Sequence, residues 1–133
     1  MSLIIREDFS MIDEDIINWE TWQSDDIGSG QNVPVIVEHI KLGSYNDYYE
    51  INNELRITRR HPMFIKSNGI WLWKDAEFIS VGDIMLGIDS EEIVINSCNY
   101  INGPLNTVEL DVETVDNYFA GTNKVLVHNG VAK

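Results

Sequence analysis

Residues 118–130 read YFAGTNKVLVHNG, and most of this stretch repeats a pattern found earlier in the chain. FAGTNKVLV (119–127) aligns without a gap with FIKSNGIWL (64–72). In both segments one apolar run precedes a turn sequence containing Asn and a second apolar run follows it, which is typical of a β-hairpin. The sequence therefore predicts two equivalent strand–turn–strand units.

A second pair of segments extends the repeat. VIVEHIKLGSYNDYYEI (35–51) is similar to IVINSCNYINGPLNTVEL (93–110), with Glu50 matching Glu109. Each of these segments indicates a strand, a turn containing Gly and Asn, and a second strand. Because both matches occur in the same order along the chain, the sequence predicts a pseudo-two-fold β domain.

Short β-rich runs alternate with turn residues from residue 34 onward. Many short strands at this spacing are typical of an all-β domain, and no long helix fits after residue 33. We therefore predict a β domain over residues 34–129, with residues 130–133 as a downstream flank. The predicted strands are VPVIVEHIKL, YYEIN, ELRIT, IWLW, DIMLG, EEIVIN, TVELDV and KVLVHN.

Residues 1–33 form an acidic segment whose pattern differs from that of the β domain. Ser10 is a candidate helix cap, with Phe9 before it and Asp13 three residues after it. Apolar residues then recur on one side of the expected helix, which indicates packing against the core. These residues are Ile12, Ile16, Trp19 and Trp22. We therefore expect a short helix in this segment.

The charge of the chain excludes one class of partner. Its 133 residues include 22 acidic and 9 basic side chains, which give a net charge of −13. A nucleic-acid surface needs clustered Lys and Arg, so we expect no nucleic-acid partner. The sequence has no apolar stretch long enough to span a membrane and no signal peptide, so we expect a cytoplasmic protein without membrane contact.

Cysteine and histidine usage argues against a disulfide and against a metal. Cys98 is the single cysteine, which excludes an internal disulfide, and we expect it to be a small buried hydrophobe. His39, His61 and His128 lack the short spacings that are typical of zinc sites. We therefore expect neither a metal nor another cofactor, and we assign the four Trp residues to core and turn packing.

Two short motifs carry residues that are capable of peptide-bond chemistry. In LRITRRHPMFI, Thr58 and His61 can jointly polarise a backbone amide, because the hydroxyl donates a hydrogen bond and the imidazole a proton. In VLVHNG, the side chain of Asn129 can attack its own carbonyl carbon while His128 protonates the leaving amine. Taken alone, either motif is more often structural, since Asn-Gly is a common turn and a His beside Pro commonly packs at a strand end.

A third segment, WKDAEFISVGDIML (73–86), indicates a tight turn at its Gly-Asp pair with an architectural role. Taken in order, Thr-x-x-His-Pro, the aromatic run leading to Gly-Asp, and YFAGTNKVLVHN resemble the Hint domain shared by inteins and hedgehog-type autoprocessing proteins. The resemblance covers residues 34–129 and implies the compact, pseudo-two-fold Hint fold.

The resemblance also implies a role for each matching residue. Thr58 and His61 fall on the positions that activate the upstream splice junction. His128 falls on the penultimate histidine and Asn129 on the asparagine that cyclises, while Glu109 lies near a position where the family often has an acid. The implied activity is a single-turnover, autocatalytic reaction, unlike that of a turnover enzyme.

The sequence departs from the family pattern at two places. Active inteins begin with a Cys or Ser nucleophile, whereas Cys98 lies inside the second repeat and Ser2 and Ser10 lack the family's sequence context. Splicing also needs Cys, Ser or Thr after the terminal asparagine, and Gly130 stands there. Acyl transfer onto residue 130 is therefore excluded, while cleavage after Asn129 is chemically feasible.

Three hypotheses account for this combination of match and departure. In the first, the chain is the C-terminal piece of an intein split near its start. A separate N-terminal peptide then supplies the nucleophile for trans-splicing, and the complemented protein is a monomer. In the second, the chain is a degenerate or cleavage-only Hint module, chiefly structural, within a larger protein such as a phage protein. In the third, the likeness is superficial and the chain is a small acidic β-rich interaction domain.

Overall fold

The computed structural model describes residues 2–6, 23–25, 32–112, 117–120 and 125–128, which form thirteen strands and one turn of 3₁₀ helix (Ala76–Phe78). The predicted all-β class is confirmed. The strands are β1 (Ser2–Arg6), β2 (Gln23–Ser24), β3 (Asn32–Tyr45), β4 (Tyr48–Ile51), β5 (Leu55–Ile57), β6 (Pro62–Ser67), β7 (Ile70–Asp75), β8 (Ile84–Leu86), β9 (Glu92–Val94), β10 (Cys98–Ile101), β11 (Leu105–Val112), β12 (Asn117–Ala120) and β13 (Val125–His128).

The acidic N-terminal segment contributes strands that the sequence analysis did not predict. β1 pairs with β3 over five residues, from Ser2 opposite Ile36 to Arg6 opposite Asn32, and β2 pairs with β7. β3 itself begins at Asn32, two residues before the predicted start of the β domain. The helix predicted after Ser10 lies outside the described residues. Within the described ranges, no helix has the length and apolar character needed to cross a membrane.

The pairings among these strands are antiparallel and form three sheets. Two are three-stranded, with the orders β1-β3-β11 and β10-β4-β5. The third has the order β12-β13-β6-β7-β2, with β8 pairing with both β6 and β9. The two repeat units thus lie against each other, because β11 pairs with β3, β10 with β4 and β13 with β6.

The predicted repeat of hairpins is confirmed as β6–β7 and β12–β13, although the two differ in register. Phe64 of the first hairpin pairs with Trp73, whereas the equivalent Phe119 pairs with Leu126. In the first hairpin Asn68 and Gly69 have φ values of 53° and 81°. Positive φ at both central residues is the geometry of a tight two-residue hairpin turn, which Asn-Gly adopts at little steric cost.

Residues 62–65 of β6 and 125–127 of β13 are buried on both faces, which explains why these stretches are unbroken apolar runs. On β13, Val125 and Val127 belong to one apolar cluster and Leu126 to a second. On β6, Met63 and Ile65 pack into the first cluster and Phe64 into the second. Because successive side chains of a strand point to opposite faces, a strand between two clusters needs apolar residues at every position.

Aromatic side chains fill the second cluster, as predicted for the tryptophans that the structure describes. The ring of Phe64 stacks on Trp71 with centroids 5.0 Å apart and tilts against Trp73 at 5.1 Å. Trp71 and Trp73 are both buried. Aromatic rings of this kind bury large apolar areas, so they anchor the sheet that contains β6 and β13.

The Gly-Asp pair of the third motif has the predicted architectural role. Gly82 has a φ of 97°, and the Asp83 amide donates to the Ser80 carbonyl at 3.0 Å, closing a turn before β8. The Gly82 amide donates to Ile95, and the Ile95 amide donates back to Asp83. The turn therefore ties the entry of β8 to the segment that follows β9.

Candidate functional site

Thr58 and His61 lie at the two ends of one tight turn. The His61 amide donates a hydrogen bond to the Thr58 carbonyl at 3.1 Å. A turn closed between residues i and i+3 brings its end Cα atoms within about 7 Å of each other. The Thr-x-x-His spacing therefore brings Thr58 and His61 close together, between the end of β5 and the start of β6.

The 3₁₀ helix holds this turn in place through the backbone. The Ala76 amide donates to the His61 carbonyl at 3.1 Å, and the Glu77 amide donates to the Arg59 carbonyl at 2.8 Å. The amides at the start of a helix have no partner within the helix, so they are free to bind carbonyls elsewhere. The aromatic run that precedes Gly-Asp thus supports the Thr-x-x-His turn directly.

Thr58 and His61 also line a common cavity of about 460 Å³. Both side chains are partly exposed. The cavity lies between β5, the 105–108 part of β11, and β12 and β13. Its other lining residues are Glu54, Leu55, Arg56, Ile57, Leu105, Asn106, Thr107, Val108, Tyr118, Ala120 and Val127.

The end of β13 runs toward this cavity. Val127 pairs with Met63 in antiparallel orientation, and Val127 itself lines the cavity. Because the two strands run in opposite directions, the backbone of His128 follows Val127 on the side of Pro62, the residue that precedes Met63. His128 is the last residue of β13 and pairs with Asn117.

Two of the four predicted site residues are described with their side chains, and these two meet at one cavity. The backbone of His128 is described within β13, while its side chain and the whole of Asn129 lie outside the described residues. Glu109 pairs with Lys41 through the backbone of β11, and its side chain also lies outside them. The catalytic roles of all four predicted residues stay predictions.

Cys98 does not line the cavity; it lies on β10, where it is half-buried and packs against the first apolar cluster. Burial raises the pKa of its thiol, and the nearby negative charge of Asp83 raises it further. A raised pKa leaves little thiolate at neutral pH, so this cysteine is a poor nucleophile. Its position agrees with a packing role.

Metal ligands do not gather within the described part of the chain. No group of three or more His, Cys, Asp or Glu side chains lies close enough there to hold a metal ion. The side chains of His39 and His128 lie outside that part.

Sequence reasoning missed Tyr118 as a residue of the cavity. Tyr118 is buried, pairs with Val127 across β12 and β13, and lines the cavity with Thr58 and His61. The repeat offered a signal, because Tyr118 precedes Phe119 as Met63 precedes Phe64. Val127 of β13 pairs with Met63 on one side and with Tyr118 on the other, so these two equivalent residues flank the same strand.

Solved structures similar to this chain are inteins and an intein-like domain. The solution structure of a bacterial intein-like domain from Clostridium thermocellum matches 97% of this chain and 99% of its own length, with 18% identity and a TM-score of 0.67. The TvoVMA intein matches 77% of this chain and 66% of its own length, with 20% identity and a TM-score of 0.66. A DnaB intein from Synechocystis sp. PCC 6803 matches 76% of this chain and 72% of its own length, with 18% identity and a TM-score of 0.57.

The chain therefore has the intein, or Hint, fold that the sequence resemblance implied. No protein-family model matches the chain, and no curated protein matches it by sequence.

Proposed function

We propose that the chain is an intein-type self-processing domain that cuts itself after Asn129 by asparagine cyclisation. The pairing of Val127 with Met63 carries this proposal, because it directs the end of β13 toward the turn of Thr58 and His61. Consecutive Cα atoms are about 3.8 Å apart, so Asn129 follows from that end of the strand. The intein fold supports the same assignment.

The reaction needs no atoms beyond those of the chain. The side-chain nitrogen of Asn129 forms a bond to the carbonyl carbon of the same residue, and the bond from that carbon to the Gly130 nitrogen breaks. The proton lost by the attacking nitrogen balances the proton that His128 gives to the departing amine. The products are a chain that ends in a succinimide at residue 129 and the free peptide Gly-Val-Ala-Lys.

Burial of β13 on both faces assists this step. Val125, Leu126 and Val127 are each at most 3% exposed, so the strand is held firmly up to the residue before His128. An intramolecular attack is fast only when the reacting atoms are held in attack geometry, which can contribute a large part of the barrier reduction. A strand end fixed as far as Val127 supplies part of that restraint.

Trans-splicing extends this proposal to a second junction. A separate N-terminal fragment would bring the Cys or Ser nucleophile that the chain lacks, and Thr58 and His61 would activate the amide upstream of it. Ligation would need an acceptor side chain at residue 130, which Gly130 does not have.

Intact mass spectrometry of the full chain at neutral pH tests the cleavage. We expect release of residues 130–133, with two product masses that sum to the mass of the starting chain. Asn129→Ala should abolish the release, and His128→Ala should slow it by about 10²- to 10⁴-fold, the usual contribution of a positioned acid or base.

The chain carries its own matched controls for ordinary asparagine chemistry. Asn68-Gly69 and Asn102-Gly103 are the same dipeptide at other places. Deamidation at Asn-Gly leaves the chain whole and releases ammonia, so it is distinguishable from cleavage. Loss of ammonia alone, equally at the three sites, would contradict the proposal and favour the structural-module hypothesis.

The trans-splicing extension has a separate test. A peptide in which a short upstream flank precedes the Cys nucleophile, derived from a candidate N-terminal fragment, is added to the chain with the substitution Gly130→Cys. Ligation of the flanks, lost in Thr58→Ala and His61→Ala, is the expected result. Normal cleavage after Asn129 without any ligation would remove the extension and leave the cleavage proposal in place.

A further inference from the structure

A second, smaller cavity adjoins the candidate site through Thr58. Its volume is about 220 Å³, and it is lined by Tyr45, Asp47, Thr58, Arg59 and Arg60. Thr58 lines both cavities, so a group bound in the smaller one lies beside the Thr58–His61 turn. One water occupies about 30 Å³ in the liquid, so the smaller cavity has room for a single side chain.

The cavity is unusually cationic for this chain. Three of the nine basic residues of a protein with net charge −13 fall within residues 56–60. Arg59 and Arg60 line the cavity. The Nε atom of Arg59 lies 3.8 Å from Oδ1 of Asp47. Arg60 is exposed and makes no ion pair with any described residue. The cavity is therefore lined by two arginines and a single carboxylate.

The carboxylate of Asp47 is already engaged. The hydroxyl of Tyr100 donates a hydrogen bond to Asp47 Oδ2 at 2.7 Å, which raises the pKa of that hydroxyl. The other oxygen, Oδ1, is the one near Arg59. Asp47 thus holds Arg59 at one side of the cavity, and the charge of Arg60 is left for another anionic group.

Both arginines belong to the turn whose backbone is fixed. The Glu77 amide holds the Arg59 carbonyl, and the turn is closed between Thr58 and His61. A guanidinium on a fixed backbone offers a planar set of donors that matches a carboxylate, and it loses less freedom on binding than one on a mobile loop. Position, charge and geometry therefore suit a carboxylate next to Thr58.

We propose that the cavity formed by Asp47, Thr58, Arg59 and Arg60 binds an acidic side chain of the flanking polypeptide, beside the amide at the Thr58–His61 turn. This inference rests on the proposed function, because it assumes that a polypeptide is held at that turn. It assigns a preference for Glu or Asp near the upstream junction.

Nuclear magnetic resonance with two matched peptides tests the inference. The isotope-labelled full chain, carrying Asn129→Ala so that it cannot cleave, is titrated with acetylated and amidated pentapeptides that differ only in a central Glu or Gln. We expect the Glu peptide to bind about two- to fivefold more tightly, with shifts at Thr58, Arg59 and Arg60, since an exposed ion pair contributes that much. The preference should shrink as salt is added, because exposed charges are screened.

Matched variants decide whether the cavity is responsible. Arg60→Gln should remove the preference for Glu, whereas Lys41→Gln, at an exposed cation that lines neither cavity, should keep it. Equal or absent binding of the two peptides, or a preference that persists in Arg60→Gln, would overturn the inference. Since the titration does not depend on Asn129, a failure here leaves the cleavage result untouched, and a failure of cleavage leaves this result readable.

Discussion

Asp83 is the buried charged residue among those that the structure describes, and its carboxylate accepts several hydrogen bonds. Oδ2 accepts hydrogen bonds from the Ser80 amide and from Lys74 Nζ, both at 3.0 Å. Burial acts to raise the pKa of Asp83, but the hydrogen bonds from Ser80, Lys74 and Ser67 outweigh it and hold the pKa below its ordinary value of 3.8. The folded state therefore favours the ionised carboxylate.

The variant Asp83→Asn should lower the free energy of unfolding at pH 7 by about 1–3 kcal/mol, because it removes a charged acceptor and leaves Lys74 partly buried without its partner. The sign of the pH dependence follows from the lowered pKa. The stabilisation is fully present above the unfolded pKa of 3.8 and is lost as the pH falls through the folded value. Urea unfolding at pH 7 and at about pH 3 measures the difference between the two proteins.

Asp89→Asn, at an exposed carboxylate, is the control for Asp83→Asn. It should change the stability little at either pH, because exposed side chains without close partners contribute little. A gap between wild type and Asp83→Asn that stays constant from pH 7 to acid would show that the carboxylate charge does not stabilise this turn.

At the scale of elements, one asparagine divides what the sequence presents as a single strand. The sequence analysis predicts one strand at the start of the second repeat unit, but the structure has two, β9 and β10, separated by residues 95–97. Asn52 Oδ1 accepts hydrogen bonds from the Asn96 amide at 2.7 Å and the Ser97 amide at 3.2 Å. Asn52 Nδ2 donates to the Val94 carbonyl at 3.0 Å. A partner more than forty residues away, at Asn52, satisfies the backbone at the break, and no local pattern reports it.

Asn52→Ala should lower the free energy of unfolding by about 2–4 kcal/mol. Two effects add: the loss of these side-chain hydrogen bonds, and the strain of a Cβ-bearing residue without a stabilising side chain at a φ of 54°. Urea denaturation of the variant measures the sum.

Asn53→Ala separates the two effects. Asn53 has a φ of 60° in the same turn but makes no side-chain hydrogen bond with a described residue. Asn53→Ala should therefore lower the free energy of unfolding only through the backbone strain, by about 1–2 kcal/mol. Equal losses for the two variants would mean that the Asn52 hydrogen bonds do not stabilise the break between β9 and β10.

Whether each of the other elements could be predicted from the sequence depends on whether its own residues specify it. Hairpin β6–β7 was predictable because Asn68-Gly69 supplies its own turn, and β12–β13 followed from the repeat. Strand β1 was not predictable, because its five residues become a strand only by pairing with β3, which begins at Asn32. The all-β class thus follows from local patterns, whereas the role of the N-terminal segment depends on pairing between distant residues.

At the scale of the whole molecule, two apolar clusters position the candidate site from either side of β6 and β13. Phe64 lies at the centre of the second cluster, fully buried and stacked on Trp71. Phe64→Ala should lower the free energy of unfolding by about 3–5 kcal/mol, since it leaves a cavity that the neighbouring rings cannot fill. Thermal or urea unfolding measures the loss.

Phe78→Ala is the matched control for Phe64→Ala, because Phe78 is 63% exposed on the 3₁₀ helix. It should change the stability by no more than about 0.5 kcal/mol. Comparable losses for the two variants would contradict the assignment of Phe64 to the core that supports β6 and β13.

The candidate site shows the same limit on prediction from sequence. Thr58 and His61 were found because a four-residue turn is a local feature, and the turn is closed as their spacing requires. The Ala76 amide that holds the turn, and Tyr118 and Val127 that line its cavity, come from elements placed there by sheet pairing. Arg59 and Arg60 lay inside the motif, yet the cavity beside them is visible only in three dimensions.

A nuclear Overhauser measurement on the full chain with Asn129→Asp, which keeps the size of the side chain but slows cyclisation, tests most directly whether residues 128 and 129 lie at the Thr58–His61 turn. Contacts between Val127 and Met63 serve as the internal reference for the pairing of β13 with β6. We predict further contacts that join the imidazole of His61 to the side chains of residues 128 and 129. Reference contacts without any from His61 to those two residues would contradict the claim that this fold brings the cleavable bond to the Thr58–His61 turn.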